Sequence, residues 1–340
     1  MDSTRQTPAP NSSIGRALVT GASGFIGYEV SRQLAAAGLR PRLLVRRPER
    51  AALLRPLDAE IVSGDLTRPA SLARASRGID TIFHLGARAA FESYHRVRPT
   101  IVDGSAELMR AAAAAGVKRF VFASSLLVYD SQESPIHAGT PARPRVDYGR
   151  AKLEAEQILS DAAERAGIHF AAIRLPHVYG ARDLLFERLQ GGLMVMTGRG
   201  ENLYSHLHVE DAARVLLAVA RQRWSGVSPV GDERPTTWRE FFDVLRMHFP
   251  RFRQLHVPTW LARLGTEALR PFLALSTRPS LYTPDTVVGW NLQLPVEIGL
   301  LWRQLGLRPI YPTISEGLPA ALDDSVAFRW RHPLTDPARY

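Results

Sequence analysis

The sequence predicts an α/β protein: a Rossmann-type, doubly wound parallel sheet with a smaller, mostly helical C-terminal capping region. Three observations predict it. Six short apolar runs in the first half alternate with helix-patterned segments. A glycine-spaced turn joins the first run to the first helix. After Gly180 proline becomes frequent and strand signals thin out. Strands that are apolar on both faces and separated by helices belong to a sheet covered on both sides.

The elements follow in order. Ala17–Thr20 is a strand that ends at glycines. Ile26, Val30, Leu34 and Ala37 then recur at helical spacing, and Gly38 stands where a helix-terminating glycine belongs. Arg42–Val45, Glu60–Ser63 and Thr81–Leu85 read as the second to fourth strands. Thr100–Ala115 reads as a helix closed by Gly116, Arg119–Ala123 as the fifth strand, Tyr148–Ala166 as a helix closed by Gly167, and His169–Ile173 as the sixth strand. Helical stretches continue at His208–Arg221 and Thr237–Phe249. Pro258–Leu275 is apolar with few charges and reads as a packed helix pair over a pocket, a membrane-surface helix being the alternative. The expected division is a flexible tail at 1–14, a dinucleotide domain at 15–180 and a capping region at 181–340, with some chain returning to the core around 205–230.

Composition narrows the function. The 340 residues, 45% apolar and 22% charged, are those of an ordinary globular protein of about two domains, not of a disordered or fibrous chain. No apolar run approaches the roughly 20 residues that cross a bilayer. The first eleven residues lack the apolar segment of a secretory signal. Cysteine is absent, which excludes disulfides, thiolate metal sites and cysteine nucleophiles and suits a cytoplasmic location. The net charge of +10 comes from scattered arginines without interleaved aromatics, so it points to an anionic cofactor rather than to nucleic acid.

The turn Thr20–Gly27 (TGASGFIG) carries the first chemistry. Gly21 permits a tight turn, Gly24 lets backbone approach a pyrophosphate, and Gly27 lets the helix pack close to the sheet. The second strand ends at Arg46-Arg47, and no acidic residue lies between Glu29 and Glu49. An acid there would hold a ribose 2′-hydroxyl, whereas an arginine accommodates a 2′-phosphate, so NADP(H) is expected over NAD(H). Tyr148 and Lys152 stand four residues apart on one helix face. The ammonium is expected to lower the phenol pKa and make Tyr148 an acid/base, with Ser125 at the end of the fifth strand as its hydroxyl partner. His206 and His208 alternate on a strand without a third ligand nearby, so no metal is expected.

These motifs, with GDL (Gly64–Leu66), HLGA (His84–Ala87), SSLLVY (Ser124–Tyr129), YGRAK (Tyr148–Lys152), RLPHVYG (Arg174–Gly180) and HVED (His208–Asp211), follow the order of one family. The chain resembles the extended short-chain dehydrogenase/reductases, the NAD-dependent epimerase/dehydratase superfamily. It is nearest in pattern to the dihydroflavonol-4-reductase and 3β-hydroxysteroid dehydrogenase-like branch. The resemblance implies Ser125 as hydrogen-bond donor to a carbonyl, Tyr148 as acid/base and Lys152 on the nicotinamide ribose. It implies Asp65 and Leu66 beside the adenine, and Pro176, His177 and Val178 near the nicotinamide. Ser23, Phe25, Ile26, Leu85, Gly86 and Ala87 complete the expected cofactor contacts.

Departures place the branch. Leu126 and Leu127 stand where related sugar-nucleotide dehydratases carry carboxylates, so dehydration lacks its acid. His177 replaces an asparagine common in epimerases, and Ile101 replaces an asparagine common in the family. The expected activity is hydride transfer between NADP(H) and a small, largely apolar carbonyl or secondary alcohol. The rivals are a sugar-nucleotide epimerase with retained cofactor and a non-catalytic nucleotide sensor. Leu184, Leu185, Phe186, Leu193, Met194, Met196, Trp260 and Leu261 are expected to supply the apolar pocket, while Arg182, Arg188 and Arg199 are the cations able to meet a diphosphate. A homodimer is compatible with this reading.

Overall fold

In chain order the first half runs β1 (Ala17–Thr20), α1 (Phe25–Ala36), β2 (Arg42–Val45), β3 (Glu60–Ser63), α2 (Pro69–Ser76), β4 (Thr81–His84), α3 (Tyr94–Arg98), α4 (Gly104–Ala114), β5 (Arg119–Ser125), α5 (Asp147–Ala166) and β6 (His169–Leu175). Next come β7 (His177–Tyr179), β8 (Leu193–Thr197), β9 (Leu203–Tyr204), β10 (His206–His208), α6 (Val209–Arg221), β11 (Gly226–Pro229) and β12 (Thr236–Thr237). The chain continues through α7 (Trp238–His248), β13 (Arg253–Val257), α8 (Thr259–Leu275), α9 (Pro284–Asn291), α10 (Leu300–Gln304) and α11 (Ile314–Arg331). This computed structural model describes residues 14–88, 91–183, 185–186, 193–248, 253–275 and 283–331. Leu184, Arg188 and all but the last residue of the expected N-terminal tail lie outside them.

Seven strands form one parallel sheet in the order β11-β6-β5-β4-β1-β2-β3. The order reverses between β1 and β4, and a crevice outside the carboxyl ends at such a point is where α/β sheets take ligands. One face of the sheet packs under α1 and α6, with Val30, Leu34, Val215 and Leu216 in its core. The other packs under α2, α4 and α5, with Leu72, Leu108, Ala151 and Leu159. A third core, around Tyr179, Phe186, Trp238, Phe241, Phe242 and Leu294, lies mostly in the second half and takes in Leu126, Val128, Tyr129 and Ile136 from the first. Strand signals are sparse in this part of the sequence, and β7–β10, β9–β12 and β8–β13 form three two-stranded pieces rather than a second large sheet.

Two elements differ from expectation. The helix read from Thr100 begins at Tyr94 and passes through a π-helical turn, Pro99–Asp103, before α4. Pro99 looks like a boundary because it lacks an N–H. The wider turn nevertheless carries the helix through it, and Gly104 at its end gives Leu66 room: a Cβ there would lie 2.8 Å from the Leu66 Cβ. Pro258–Leu275 is one helix, not a packed pair. Only Thr259, Ala262 and Thr266 of its described side chains are sheltered, and Trp260, Leu261 and Leu264 stand exposed.

An ion pair holds α5 on the sheet. Glu156 of α5 and Arg174 of β6 are both buried and paired at 2.6 Å, with a second contact from Arg174 Nε to Glu156 Oε1 at 3.0 Å. Ser124 of β5 donates to the same carboxylate, and Arg174 Nη1 donates to the Tyr129 hydroxyl at 2.6 Å. Every charged atom therefore has a partner, the condition under which a buried pair is tolerated. Removing one partner strands the other. Glu156→Gln is expected to cost about 3–5 kcal/mol in urea unfolding. Glu156→Leu combined with Arg174→Met should cost less than the two single changes added together; simple additivity would show that the pair does not act as a unit.

Candidate active site

The turn after β1 folds as its glycines require. Gly21 has φ +70°, and a Cβ on it would lie 2.8 Å from the Gly86 nitrogen, so β1 and β4 leave the sheet in direct contact. A Cβ on Gly27 would overlap the Gly21 carbonyl. Gly24 is the N-cap of α1, without a side-chain cap and without an acid in the first turn. Ser23 and Gly24 are exposed at the apex, with Phe25 and Ile26 half-buried behind them. The free N–H groups of this helix end suit an anion.

Arg46 is exposed just past the end of β2. Asp65 follows β3 and accepts bonds from the Thr67 nitrogen and hydroxyl, each at 2.9 Å. Burial pushes the Asp65 carboxyl up, but the Thr67 bonds and the charges of Arg46 and Arg68 outweigh it and hold the group below its usual range. Leu66 is half-buried between Gly86 and Gly104. Arg46 and Asp65 thus share one corner.

A buried chain of hydrogen bonds lies beneath the crevice. Ser105 Oγ donates to the Ile101 carbonyl at 2.5 Å, so it accepts from His84 Nε2 at 2.7 Å. His84 Nδ1 then accepts from the Thr20 hydroxyl at 2.6 Å, and Thr20 accepts from the Gly86 N–H at 3.0 Å. The hydrogen supply fixes the imidazole as the neutral Nε2–H tautomer. Burial first, and the charge of Lys152 second, push His84 down to about 3. The chain ties the glycine turn, the Leu85–Ala87 segment and the π-helical turn together, and it ends on the carbonyl of Ile101.

Ser125 closes β5, where its Oγ accepts the Leu127 N–H at 3.2 Å. Tyr148 and Lys152 lie on the first two turns of α5. Gly149 brings that helix in, since a Cβ there would overlap the Leu127 carbonyl. Lys152 is buried, donates to the Ala123 carbonyl at 2.7 Å, and lies 4.5 Å from the Phe122 ring centre and 5.8 Å from that of Tyr148. The electrostatics differ from the expectation that the ammonium lowers the phenol. Burial pushes Tyr148 up and Lys152 down to about 7, the latter opposed by Glu156. Desolvation penalises the charged form of each, and the ammonium is turned toward a strand carbonyl.

Pro176, His177 and Val178 are half-buried after β6. The His177 ring sits 4.9 Å from Trp238 and 5.2 Å from Phe241, with Nδ1 3.1 Å from His206 Nδ1 and Nε2 3.5 Å from Asp183 Oδ2. His206 is thus engaged by His177, and His208 Nδ1 accepts the Glu210 N–H at the start of α6. Arg182 reaches back to the glycine turn, donating to the Ser23 and Gly24 carbonyls at 3.3 and 3.4 Å and lying 4.9 Å over the Tyr28 ring. Of the expected pocket residues, Leu185, Phe186 and Met196 are buried in the third core and Met194 packs against it. Leu193, Trp260 and Leu261 are on the surface, because the segments that carry them turn their apolar side outward.

Sequence reasoning missed Glu156, Arg174, Thr20 with His84 and Ser105, and the placement of Arg182. One signal was available: Tyr148, Lys152 and Glu156 repeat every four residues, on one face of the helix.

A parallel-sheet switch point flanked by a serine, a tyrosine and a lysine in this order belongs to the short-chain dehydrogenase/reductases of extended type, which are NAD(P)-dependent enzymes. The chain is a member of the NAD-dependent epimerase/dehydratase family, whose pattern matches residues 17–230. It is 32% identical over 235 residues to a ceramide reductase of Caulobacter vibrioides, covering 66% of this chain and 68% of that one. It is 31% identical over 340 aligned positions to a 3β-hydroxysteroid dehydrogenase/Δ5→4-isomerase of Mycobacterium tuberculosis, covering 90% of each. Its fold is shared with DesIV, a dTDP-glucose 4,6-dehydratase from Streptomyces venezuelae solved with NAD bound (TM-score 0.75, 24% identity, 94% of this chain and 100% of that one). The reductase and the dehydrogenase support an oxidoreductase of the extended kind, in a family that uses nicotinamide cofactors. No helix among the described residues is long and apolar enough to cross a membrane.

The buried histidine sets an acid limit on stability. Unfolded His84 takes up a proton near pH 6.5, whereas the folded form resists until about 3, so the unfolded state binds more protons in between. Its contribution is complete above pH 6.5 and is lost as pH falls, at about 1.4 kcal/mol per pH unit within that window. His206 and His208, also held low by burial, act in the same direction. His84→Gln should lower Tm at pH 7 and flatten the fall of Tm from pH 6.5 to 4. An unchanged slope would remove His84 from the account.

Proposed function

We propose that the protein is an NADP(H)-dependent oxidoreductase that acts on a carbonyl or secondary alcohol of a small, largely apolar substrate. The observation that carries this reading is the approach of α5 to the end of β5 at Gly149, which sets Tyr148 and Lys152 beside the Ser125 turn. The residues present fit a dinucleotide. The uncapped α1 end and the Gly21–Gly27 cradle, which a Cβ would fill, suit a pyrophosphate, and Arg182 adds a cation beside them. Arg46 suits a 2′-phosphate, with Asp65 and Leu66 toward the adenine and Leu85, Gly86, Ala87, Pro176, His177 and Val178 along the crevice toward the nicotinamide.

When bound, the nicotinamide supplies or accepts the hydride. The chain's own residues hold and move the proton. Ser125 Oγ donates a hydrogen bond to the substrate oxygen and fixes the carbonyl. The Tyr148 hydroxyl, protonated at neutral pH as phenols are, gives its proton to that oxygen as reduction proceeds and takes it back in the reverse direction. Lys152, whose ammonium is pushed down by burial and held up in part by Glu156, binds the ribose and sets the field at the phenol. Leu126 and Leu127 offer no carboxyl acid for dehydration. The ceramide and hydroxysteroid named for the two relatives support an apolar substrate of lipid or terpenoid type.

Arg46→Ala should weaken NADPH about ten- to a hundredfold and leave NADH nearly unchanged, as a charge-assisted contact of roughly 1.5–3 kcal/mol requires. Fluorescence titration of both cofactors checks this, and equal NADPH affinity in the two proteins would overturn the assignment. Tyr148→Phe should lower turnover about 10²–10⁴-fold with cofactor affinity nearly intact. A screen of hydrophobic ketones followed by NADPH absorbance supplies the substrate, and near-normal turnover in the variant would move the proton donor elsewhere.

A further inference from the structure

We propose that α8 and the β8–β13 ribbon seat the protein on an anionic lipid surface. An amphipathic helix of a water-soluble protein ordinarily buries its apolar arc and exposes its polar one. Here the arrangement is inverted. The sheltered positions Thr259, Ala262 and Thr266 are small, and the Thr266 hydroxyl is satisfied within the helix by the Ala262 carbonyl at 3.0 Å. At 100° per residue, Trp260, Leu261, Leu264 and Ala268 share the opposite arc, edged on the Trp260 side by Glu267 and Arg263, and all four apolar residues are exposed, Trp260 to 65% and Leu264 to 62%.

The ribbon that leads into the helix repeats the pattern. Leu193 and Val195 alternate onto one face of β8, and the parallel register Leu255↔Val195 puts Leu255 on that face as well. Leu193 is 56% exposed and Leu255 52%. Pro258 alone separates β13 from α8, so the apolar ribbon and the apolar arc are consecutive in the chain. Scattered exposed leucines need no explanation, but two successive elements that turn their apolar residues outward do.

Charge selects the occupant. Residues 253–275 carry three arginines and one glutamate within a chain of net charge +10, and Arg253 and Arg263 are exposed beside the apolar residues. In a two-fold contact the same patch meets itself and sets positive charge against positive charge. An anionic leaflet complements it. Trp260, in the first turn of the helix, is of the type that sits at headgroup level. The helix therefore lies in the interface rather than across it. The choice of a lipid surface rests in part on the apolar substrate proposed above, which would partition into such a surface.

The test uses the full chain without cofactor or substrate, so that it stands apart from the proposed activity. In flotation with mixed phosphatidylcholine–phosphatidylglycerol vesicles the protein should rise with the lipid, and more weakly with phosphatidylcholine alone or at high salt. Trp260→Asp with Leu264→Asp should weaken vesicle binding about tenfold or more while circular dichroism and NADPH affinity stay unchanged. Arg253→Gln with Arg263→Gln should remove mainly the dependence on phosphatidylglycerol. Failure of the wild type to bind vesicles, or equal binding by the aspartate variant, would overturn the proposal. So would a wild-type dimer in sedimentation that the aspartate variant dissociates while vesicles stay bare, since a second copy would then cover the face.

Discussion

The interaction on which the rest depends is the buried pair of Glu156 and Arg174. It joins α5 to β6, takes in Ser124 of β5 through the same carboxylate and reaches Tyr129 through the other arm of the guanidinium. Three elements that each carry one part of the site are thereby held in one register. A pair of this kind contributes little net stability against an apolar replacement, because both charges leave water. Its value lies in direction, since only one placement of α5 satisfies both ends. Gly149 adds the steric half of the same constraint by bringing α5 onto the Leu127 carbonyl.

Burial is the common cause of the electrostatics that follow. The phenol of Tyr148 is raised, the ammonium of Lys152 is lowered and the imidazole of His84 is kept neutral, each because its charged form has lost water. Burial alone makes the phenol a weaker acid, so in the proposed reaction its proton leaves only as negative charge develops on the substrate oxygen, with the Lys152 charge nearby to offset the cost. His84 takes no part in that exchange. As a fixed neutral tautomer it links the glycine turn to the π-helical turn and so holds the two segments that face the crevice.

The two halves of the chain manage apolar surface differently. Around the parallel sheet it is enclosed on both sides by helices, and the strands carry almost no exposed side chains. In the second half the β8–β13 ribbon and α8 turn part of it outward, while β10 is buried and Tyr179 of β7 lies in the third core. The same residue types therefore serve a core in one region and a surface in the other. The apolar content of a segment does not tell these roles apart, because burial depends on which face of an element meets a neighbour.

Much of the fold was legible in the sequence. The parallel strands, the glycine turn, α5 and the placement of Tyr148 and Lys152 on one helix face follow from local patterns of period two or 3.6 and from glycines whose backbone has few alternatives. The family, too, could be read from the order of its short motifs. Tertiary structure decided what depends on partners distant in sequence. Arg174 meets Glu156 eighteen residues away, His84 meets Thr20 sixty-four residues away, and Arg182 returns to Gly24, 158 residues before it. The direction of the pKa shifts was also out of reach, because spacing places Lys152 near Tyr148 but says nothing of the water removed from both. The outward face of α8 was misread for the same reason: an apolar helix pattern states which residues share an arc, and only the packed structure decides whether that arc points into the protein or away from it.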